Sequence, residues 1–293
     1  MAEAQREGLV VRRYSGFYYV YTGDDVFACK LRGKIKYKVL TGDRVVITVL
    51  GEGSGIVEKV LPRRTELVRP PIANVDKVML VFSYDCPEPS LVLLDRLLVL
   101  ASYHNLSPCI VLNKCDLEPS ARARQIMEYY PRAGYRLVKT SVITGEGMSE
   151  LIKEAEGSIS VLAGPSGVGK SSLLNTIFPD KQLPTQEVSE KTARGRHTTR
   201  HVELFALREN GWIADTPGFS VTDLPRMKRR ELARHFIEFE SHADHCRFID
   251  CLHCQEEECA VKEAVARGDI AQFRYQNYCS FLAEVIESER CYR

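Results

Sequence analysis

Short runs of alternating apolar and polar residues fill the first sixty positions of the chain. The breaks between these runs carry turn residues such as Ser15-Gly16 and Thr41-Gly42-Asp43. This alternation is typical of short strands that close into a small barrel. It predicts an OB-type β-barrel over residues 1–68, with strands at 9–14, 17–21, 26–31, 45–50 and 56–61.

The periodicity changes after a predicted linker near residues 61–71, which is rich in Pro and Arg. Continuous apolar runs now alternate with segments whose apolar residues recur every three to four positions, which predicts strands alternating with helices. Such alternation favours a mostly parallel, doubly wound α/β sheet, here over residues 69–222. Residues 223–293 carry helical patterns only and predict a separate α-helical domain. Its helices are expected at 227–239, 259–267 and 270–288.

One strand-to-helix junction has the composition of a phosphate-binding loop. The strand 159–163 runs into Gly-Pro-Ser-Gly-Val-Gly-Lys-Ser, which fits G-x-x-x-x-G-K-[ST]. Glycines let the backbone approach a phosphate chain, and N–H groups of the loop and of the next helix point at it. Lys170 is expected to bind the β- and γ-phosphates, and Ser171 to bind Mg²⁺. The predicted nucleotide-binding residues are Gly164, Pro165, Ser166, Gly167, Val168, Gly169, Lys170, Ser171 and Ser172.

A second loop has the composition of a base-reading loop. Asn113-Lys114-Cys115-Asp116 follows the strand at 109–112 and fits N-K-x-D. A carboxylate accepts two hydrogen bonds, and guanine offers paired donors at N1 and N2 where adenine has none at N1. Asp116 is therefore expected to select guanine, with Asn113 tying the acceptor edge of the base to the loops and the Lys114 stem packing on its ring. After the next strand, Thr140-Ser141-Val142 resembles the supporting loop whose backbone contacts the guanine oxygen.

Two further segments suit a nucleotide-dependent switch. Residues 189–200 are polar and rich in Gly and Arg, which predicts a mobile loop in which Thr198 or Thr199 completes the Mg²⁺ shell. Asp215-Thr216-Pro217-Gly218 fits D-x-x-G, so Asp215 is expected to hold Mg²⁺ through water and the Gly218 amide to contact the γ-phosphate. A plain β-turn is the alternative interpretation of D-T-P-G.

These loops occur in an unusual order. In an ordinary GTPase the phosphate loop comes first and N-K-x-D last, whereas here residues 113–116 precede residues 164–171. The same sheet forms when the chain is cut at another loop, because neighbouring termini permit circular permutation. The order predicts a circularly permuted P-loop GTPase domain.

Charge adds one refinement to this picture. The 293 residues carry a net charge of +1, but residues 1–69 hold 13 Lys and Arg against 8 Asp and Glu. A mildly basic barrel with aromatic residues such as Tyr14, Phe17 and Tyr37 suits contact with RNA; alternatively, the aromatic rings fill the barrel.

The first residues lack the apolar core of a signal peptide, and no apolar run reaches the roughly 18 residues of a membrane helix. A cytoplasmic monomer with no membrane contact is expected.

Cysteine spacing in the tail indicates a metal site. Four of the ten cysteines, Cys246, Cys251, Cys254 and Cys259, fall within 14 residues of each other, together with His253. A reducing compartment disfavours disulfides, and three thiolates with one imidazole suit a closed, structural Zn²⁺ site. Either His253 or Cys254 can supply the fourth ligand beside the other three cysteines.

The whole set of motifs resembles the circularly permuted GTPases of the ribosome small-subunit-dependent GTPase A family. The likeness covers essentially the entire chain and rests on GPSGVGKSS, NKCD, RGRHTTR, DTPG and the Cys/His cluster. It implies a barrel–GTPase–zinc architecture and weak GTP hydrolysis that the small ribosomal subunit stimulates late in its own assembly. The zinc spacing of that family matches Cys246, Cys251, His253 and Cys259.

The resemblance also bears on catalysis. Phe219 follows D-T-P-G, where many GTPases place the glutamine that orients water, and an apolar ring cannot do this. The family histidine proposed as its substitute matches His197; a solvated loop histidine is the alternative. Two rival functions stay open: an RNA-binding assembly scaffold with structural nucleotide, and a P-loop ATPase or small-molecule kinase.

Overall fold

The N-terminal part is a closed five-stranded barrel. The computed structural model describes residues 4–68, 70–181, 202–207, 210–215 and 223–291. The barrel strands are β1 (Gln5–Tyr14), β2 (Phe17–Tyr21), β3 (Val26–Leu31), β4 (Arg44–Gly51) and β5 (Ser54–Val60). Strand β1 pairs with both β2 and β4, and β3 pairs in parallel with β5, which closes the barrel. The predicted OB-type barrel is confirmed.

A short hairpin follows where the sequence suggested only a linker. It consists of β6 (Glu66–Val68) and β7 (Pro71–Ala73). The Asn74 side chain donates to the Gly42 carbonyl oxygen at 2.8 Å, and the Ala73 amide donates to the Thr41 carbonyl oxygen at 2.9 Å. These bonds hold the hairpin against the barrel.

The central part is the expected doubly wound sheet. Its elements are β8 (Lys77–Ser83), α1 (Leu91–Tyr103), β9 (Ser107–Asn113), α2 (Ala121–Arg132), β10 (Arg136–Thr140), α3 (Met148–Ala155), β11 (Ile159–Ala163), α4 (Lys170–Ile177), β12 (Glu203–Ala206) and β13 (Trp212–Asp215). The strand order is β10-β9-β8-β11-β13-β12, and every pair is parallel except β12 with β13. The carboxyl ends of β9, β11 and β13 therefore meet at one edge.

Barrel and central sheet are continuous. Strand β1 pairs with the edge strand β12, with Arg12 opposite Glu203, so that eleven strands form one sheet. The Thr41 hydroxyl also donates to the Val202 carbonyl oxygen at 3.1 Å. The barrel is thus fastened to the strand beside β13.

The C-terminal part is helical, with α5 (Ile237–Ala243), α6 (Ala260–Arg267) and α7 (Gln272–Cys291). The single helix predicted over 227–239 is wrong, because a 3₁₀ turn at Leu232–His235 is separated from α5 by an extended residue, Phe236. This break buries the Phe236 ring, whose centroid lies 5.2 Å from that of Tyr278. None of the helices in the described ranges combines the length and apolar composition that a bilayer span requires.

A buried ion cluster joins this helical part to the central sheet. The Arg274 guanidinium of α7 donates to Asp95 of α1 at 2.5 Å and to Glu238 of α5 at 2.6 Å. Asp95 also accepts hydrogen bonds from Tyr130 and from Asn277. The side chains of Arg274 and Asp95 are fully buried, so the cluster fixes how α7 packs on α1.

Candidate functional site

The phosphate loop lies between β11 and α4, as predicted, and is packed against its neighbours. Gly164 has φ +137°, and a Cβ there would lie 2.1 Å from the Val81 carbonyl oxygen of β8. Gly169 has φ +94°, and a Cβ there would lie 2.3 Å from the Asn113 side-chain amide. Only glycine fits these two positions, since both the backbone angle and the close approach exclude a side chain.

Lys170 begins α4 beneath this loop. Its ammonium donates to the carbonyl oxygens of Gly164 at 2.9 Å and Pro165 at 2.6 Å. Burial lowers the Lys170 pKa from its ordinary value, because a desolvated ammonium is less stable. The helix cap is Gly169, which has no side chain to bind the first-turn N–H groups, and Ser171 and Ser172 follow in that turn. A cation and helix amides at one loop are suited to a phosphate chain.

Asn113 ties the phosphate loop to the base-reading loop. Its side-chain amide donates to the Val168 carbonyl oxygen at 2.8 Å, and its side-chain oxygen accepts from Thr140 at 3.1 Å. Lys114, at φ +63°, reaches the same loop through the Gly167 carbonyl oxygen at 2.9 Å. Three loops from three strands are therefore joined by side chains.

Asp116 is oriented by Ser141. The Ser141 hydroxyl donates to one Asp116 carboxylate oxygen at 2.5 Å and itself accepts from the amides of Ile143 and Thr144 at 3.2 Å. Ser141 is fully buried, which fixes its rotamer. Sequence reasoning expected backbone contacts from this loop; the structure shows that the Ser141 side chain positions the carboxylate.

Sequence reasoning missed the segment after β8. The carbonyl oxygen of Cys86 accepts from Lys114 at 2.6 Å and from the Ser83 hydroxyl at 2.9 Å. A Cβ at Gly167 would lie 3.7 Å from Pro87. The strand order could have indicated this segment, because β8 lies between β9 and β11 and ends at the same edge of the sheet.

Several predicted residues lie outside the described part of the chain. They are His197, Thr198, Thr199 and Gly218. For Asp215 only the backbone is described: it ends β13, opposite Glu203 of β12. Because β13 is parallel to β11, its end lies at the edge that carries the phosphate loop.

The predicted metal ligands come together in the helical part. One ligand atom from each of Cys246, Cys251, His253 and Cys259 lies within 4.8 Å of the other three. His253 Nδ1 is 3.5 Å from the sulfurs of Cys246 and Cys259, which are 3.8 Å apart. Tetrahedral zinc spaces two sulfurs by about 3.8 Å and a sulfur and a nitrogen by about 3.6 Å. The donor set and its spacing fit zinc.

The fourth ligand position favours His253 over Cys254. The Cys254 sulfur lies 2.7 Å from that of Cys279 in α7, whereas His253 is buried and packs edge-on to the Phe239 ring. Hydroxyls of Tyr275 and Tyr278 hold the backbone around it, each at 2.8 Å from a carbonyl oxygen. Two elements of the fold thus aim the imidazole at the three thiols.

Replacing Cys259 with Ser is expected to abolish zinc binding and to unfold the loop that carries the cluster. Three remaining ligands bind Zn²⁺ far more weakly, and the metal supplies folding energy to such loops. The measurement is zinc content per chain after gel filtration, with near-ultraviolet circular dichroism. Cys254→Ser is the matched control and is expected to keep one zinc; equal zinc loss in both variants would contradict the assignment.

Comparison with known proteins agrees with this geometry. The family model described as RsgA GTPase matches residues 60–225, and that of the RsgA N-terminal domain matches residues 7–57. Proteins named small ribosomal subunit biogenesis GTPase RsgA from Carboxydothermus hydrogenoformans and Moorella thermoacetica are 50% and 49% identical, over 97% and 98% of this chain and 99% of each relative.

Solved structures agree as well. YjeQ from Thermotoga maritima matches with a TM-score of 0.85 and 40% identity, covering 97% of this chain and 99% of that one. YloQ, described as a circularly permuted GTPase, matches with a TM-score of 0.82 and 36% identity, over 97% and 96% of the two chains. That description agrees with the permuted order of the loops in this chain.

Proposed function

This chain belongs to the RsgA GTPase family, and we propose that it hydrolyses GTP on the small ribosomal subunit and thereby assists the late maturation of that subunit. The observation that carries the proposal is the joined set of loops around Asp116 and Lys170. The relatives named small ribosomal subunit biogenesis GTPase support the choice of partner. We also propose that the protein acts in the cytoplasm and as a monomer.

Guanine selection follows from the orientation of Asp116. Ser141 occupies one carboxylate oxygen from the protein side, which leaves the other oxygen and a second lone pair for guanine N1–H and N2–H. Adenine has no donor at N1, so this carboxylate would lose the paired hydrogen bonds that guanine supplies. This selectivity argues against the ATPase and kinase alternatives.

Hydrolysis consists of in-line attack by water on the γ-phosphorus, giving GDP and phosphate. Lys170 is free to exchange two neutral carbonyl acceptors for charged phosphate oxygens, which are the stronger partners. Ser171, and Asp215 through water, would hold Mg²⁺, which would neutralise negative charge on the phosphates. We assign orientation of the attacking water to His197, Mg²⁺ ligation to Thr198 or Thr199, and contact with the γ-phosphate to the Gly218 amide.

The barrel surface supports RNA as the direct partner. Its interior is filled mainly by aliphatic side chains, whereas Tyr14 and Tyr37 are 59% and 55% exposed. Cations lie beside two further rings. The Arg12 guanidinium is 4.3 Å from the ring centroid of half-buried Tyr19, and the Lys30 ammonium is 5.4 Å from that of exposed Phe17. Rings and cations on one surface are suited to stacked bases and phosphates.

Replacing Lys34, Lys36 and Lys38 together with Gln is expected to weaken binding to purified small-subunit RNA. All three are exposed, and three lost phosphate contacts should reduce the slope of log affinity against log salt by about 2. The measurement is filter binding across salt concentrations. The control removes the same charge from the central part by changing three other cations to Gln: Arg124, Arg132 and Lys139. An equal loss of RNA affinity in this control would contradict a barrel contact.

Nucleotide-dependent binding to the small subunit tests the proposed function. The protein is sedimented with purified small subunits in a non-hydrolysable GTP analogue, in GDP and without nucleotide. A switch binds more tightly in the GTP state, and Asp116→Asn should remove this dependence. Equal binding in every state would instead favour the RNA-binding scaffold.

A further inference from the structure

Two cysteines outside the metal cluster face each other. The sulfur of Cys254, in the loop that carries the zinc ligands, lies 2.7 Å from that of Cys279, in the middle of α7. Both side chains are partly exposed. Two thiols that are 25 residues apart in the chain and in contact across two elements require an explanation.

Zinc binding does not account for this pair. Cys246, Cys251, His253 and Cys259 already supply the four ligand atoms that a closed zinc site needs, and Cys254 and Cys279 are not among them. The sulfurs of Cys246 and Cys259 in the cluster are 3.8 Å apart, which is the spacing of two thiolates that bind one zinc ion. The shorter distance between Cys254 and Cys279 suits a direct bond, because the sulfurs need to approach by less than about 1 Å.

We propose that Cys254 and Cys279 form a reversible disulfide. This bond would connect the zinc loop, residues 246–259, to α7. The oxidant is a low-molecular-weight disulfide such as oxidised glutathione. One thiol, as the thiolate, attacks it and releases one small thiol; the second protein thiolate attacks the mixed disulfide and releases the other. The protein loses two electrons and two protons, and the oxidant becomes two thiols.

The position of the bond determines its effect. Helix α7 already holds the metal loop, since Tyr275 and Tyr278 donate to the carbonyl oxygens of His253 and Leu252 at 2.8 Å. A covalent bond from the same helix restricts the freedom that this loop would gain when zinc leaves. The oxidised protein therefore keeps its ligands gathered and loses zinc more slowly.

The test uses the full-length, zinc-loaded protein with Cys86 and Cys291, both exposed, changed to Ser. It is treated with oxidised glutathione, alkylated and mapped under non-reducing conditions while zinc content is measured. We expect one cross-linked peptide pair containing residues 254 and 279, a mass loss of about 2 Da, one retained zinc and reversal by dithiothreitol. Transfer of zinc to a chromogenic chelator should slow by about tenfold.

Cys279→Ser is the matched variant and should give no cross-link, a glutathione adduct at most, and unchanged zinc transfer. Three results would overturn the proposal: no bond between Cys254 and Cys279 in zinc-loaded protein, cross-links among the zinc ligands with loss of metal, or loss of zinc on changing Cys254 to Ser. GTP turnover of each sample, measured separately, distinguishes this failure from failure of the proposed function.

Discussion

Replacing Asp116 with Asn is expected to lower the affinity for GTP by about 10²- to 10⁴-fold. The carboxylate accepts from two guanine N–H groups, and each hydrogen bond to a charged group contributes about 1.5–3 kcal/mol. An amide at this position presents a donor toward N1–H or N2–H, which adds repulsion to the lost bonds. The measurement is the equilibrium affinity for GTP and for xanthosine triphosphate, whose C2 oxygen accepts from the new amide.

The expected result is a change of preference and not a general loss of binding. Xanthosine triphosphate should bind the variant more tightly than GTP does, which shows that the phosphate loop and Lys170 remain intact. Glu118→Gln is the control. This substitution removes the same charge two residues away, from a carboxylate that is fully exposed. Unchanged GTP affinity in Asp116→Asn would mean that the loop at 113–116 does not bind the base.

Replacing Arg274 with Leu is expected to destabilise the packing of α7 by about 3–5 kcal/mol. The change leaves the carboxylates of Asp95 and Glu238 buried without their cation, and such breaks cost far more than the intact cluster contributes. The measurement is urea denaturation followed by near-ultraviolet circular dichroism. Combining Arg274→Leu with Asp95→Asn and Glu238→Gln should recover part of the loss, because no buried charge then remains.

A second ion pair and a series of pH values test whether the destabilisation by Arg274→Leu comes from the buried carboxylates. Arg96 and Glu284 also join α1 to α7, but Glu284 is 44% exposed, so Arg96→Leu should cost about 1 kcal/mol. Burial raises the pKa of Asp95 above that in the unfolded chain, so folding takes up protons at this carboxyl. Loss of Arg274 raises this pKa further, and the destabilisation should therefore shrink as the pH falls from 8 to 5. A loss independent of pH would contradict an uncompensated carboxylate.

Local patterns predicted the strand and the glycine-rich loop at the candidate site closely. The apolar run at residues 159–163 is β11, and the loop after it needs glycine at 164 and 169 for the reasons that the motif gives. The barrel strands begin and end within a few residues of their alternating runs. These features depend on residues that are close together in the sequence, so local sequence patterns predict them.

Contacts between distant segments were not predictable in the same way. Nothing near Arg274 indicates that its partners are Asp95, 179 residues away, and Glu238, 36 residues away. Phe236 sits in a helical pattern, yet its backbone is extended because its ring is needed in the core between α5 and α7. The orienting role of the Ser141 side chain likewise depends on a loop 25 residues earlier.

The most direct test of the central claim is GTP turnover by the purified protein with and without small ribosomal subunits. We predict slow hydrolysis by the protein alone, because an apolar Phe219 follows D-T-P-G, and a stimulation of tenfold or more by small subunits. Large subunits and ATP serve as controls and should give no comparable increase. Unchanged turnover in the presence of small subunits, with GTP still bound, would contradict a GTPase that this subunit activates.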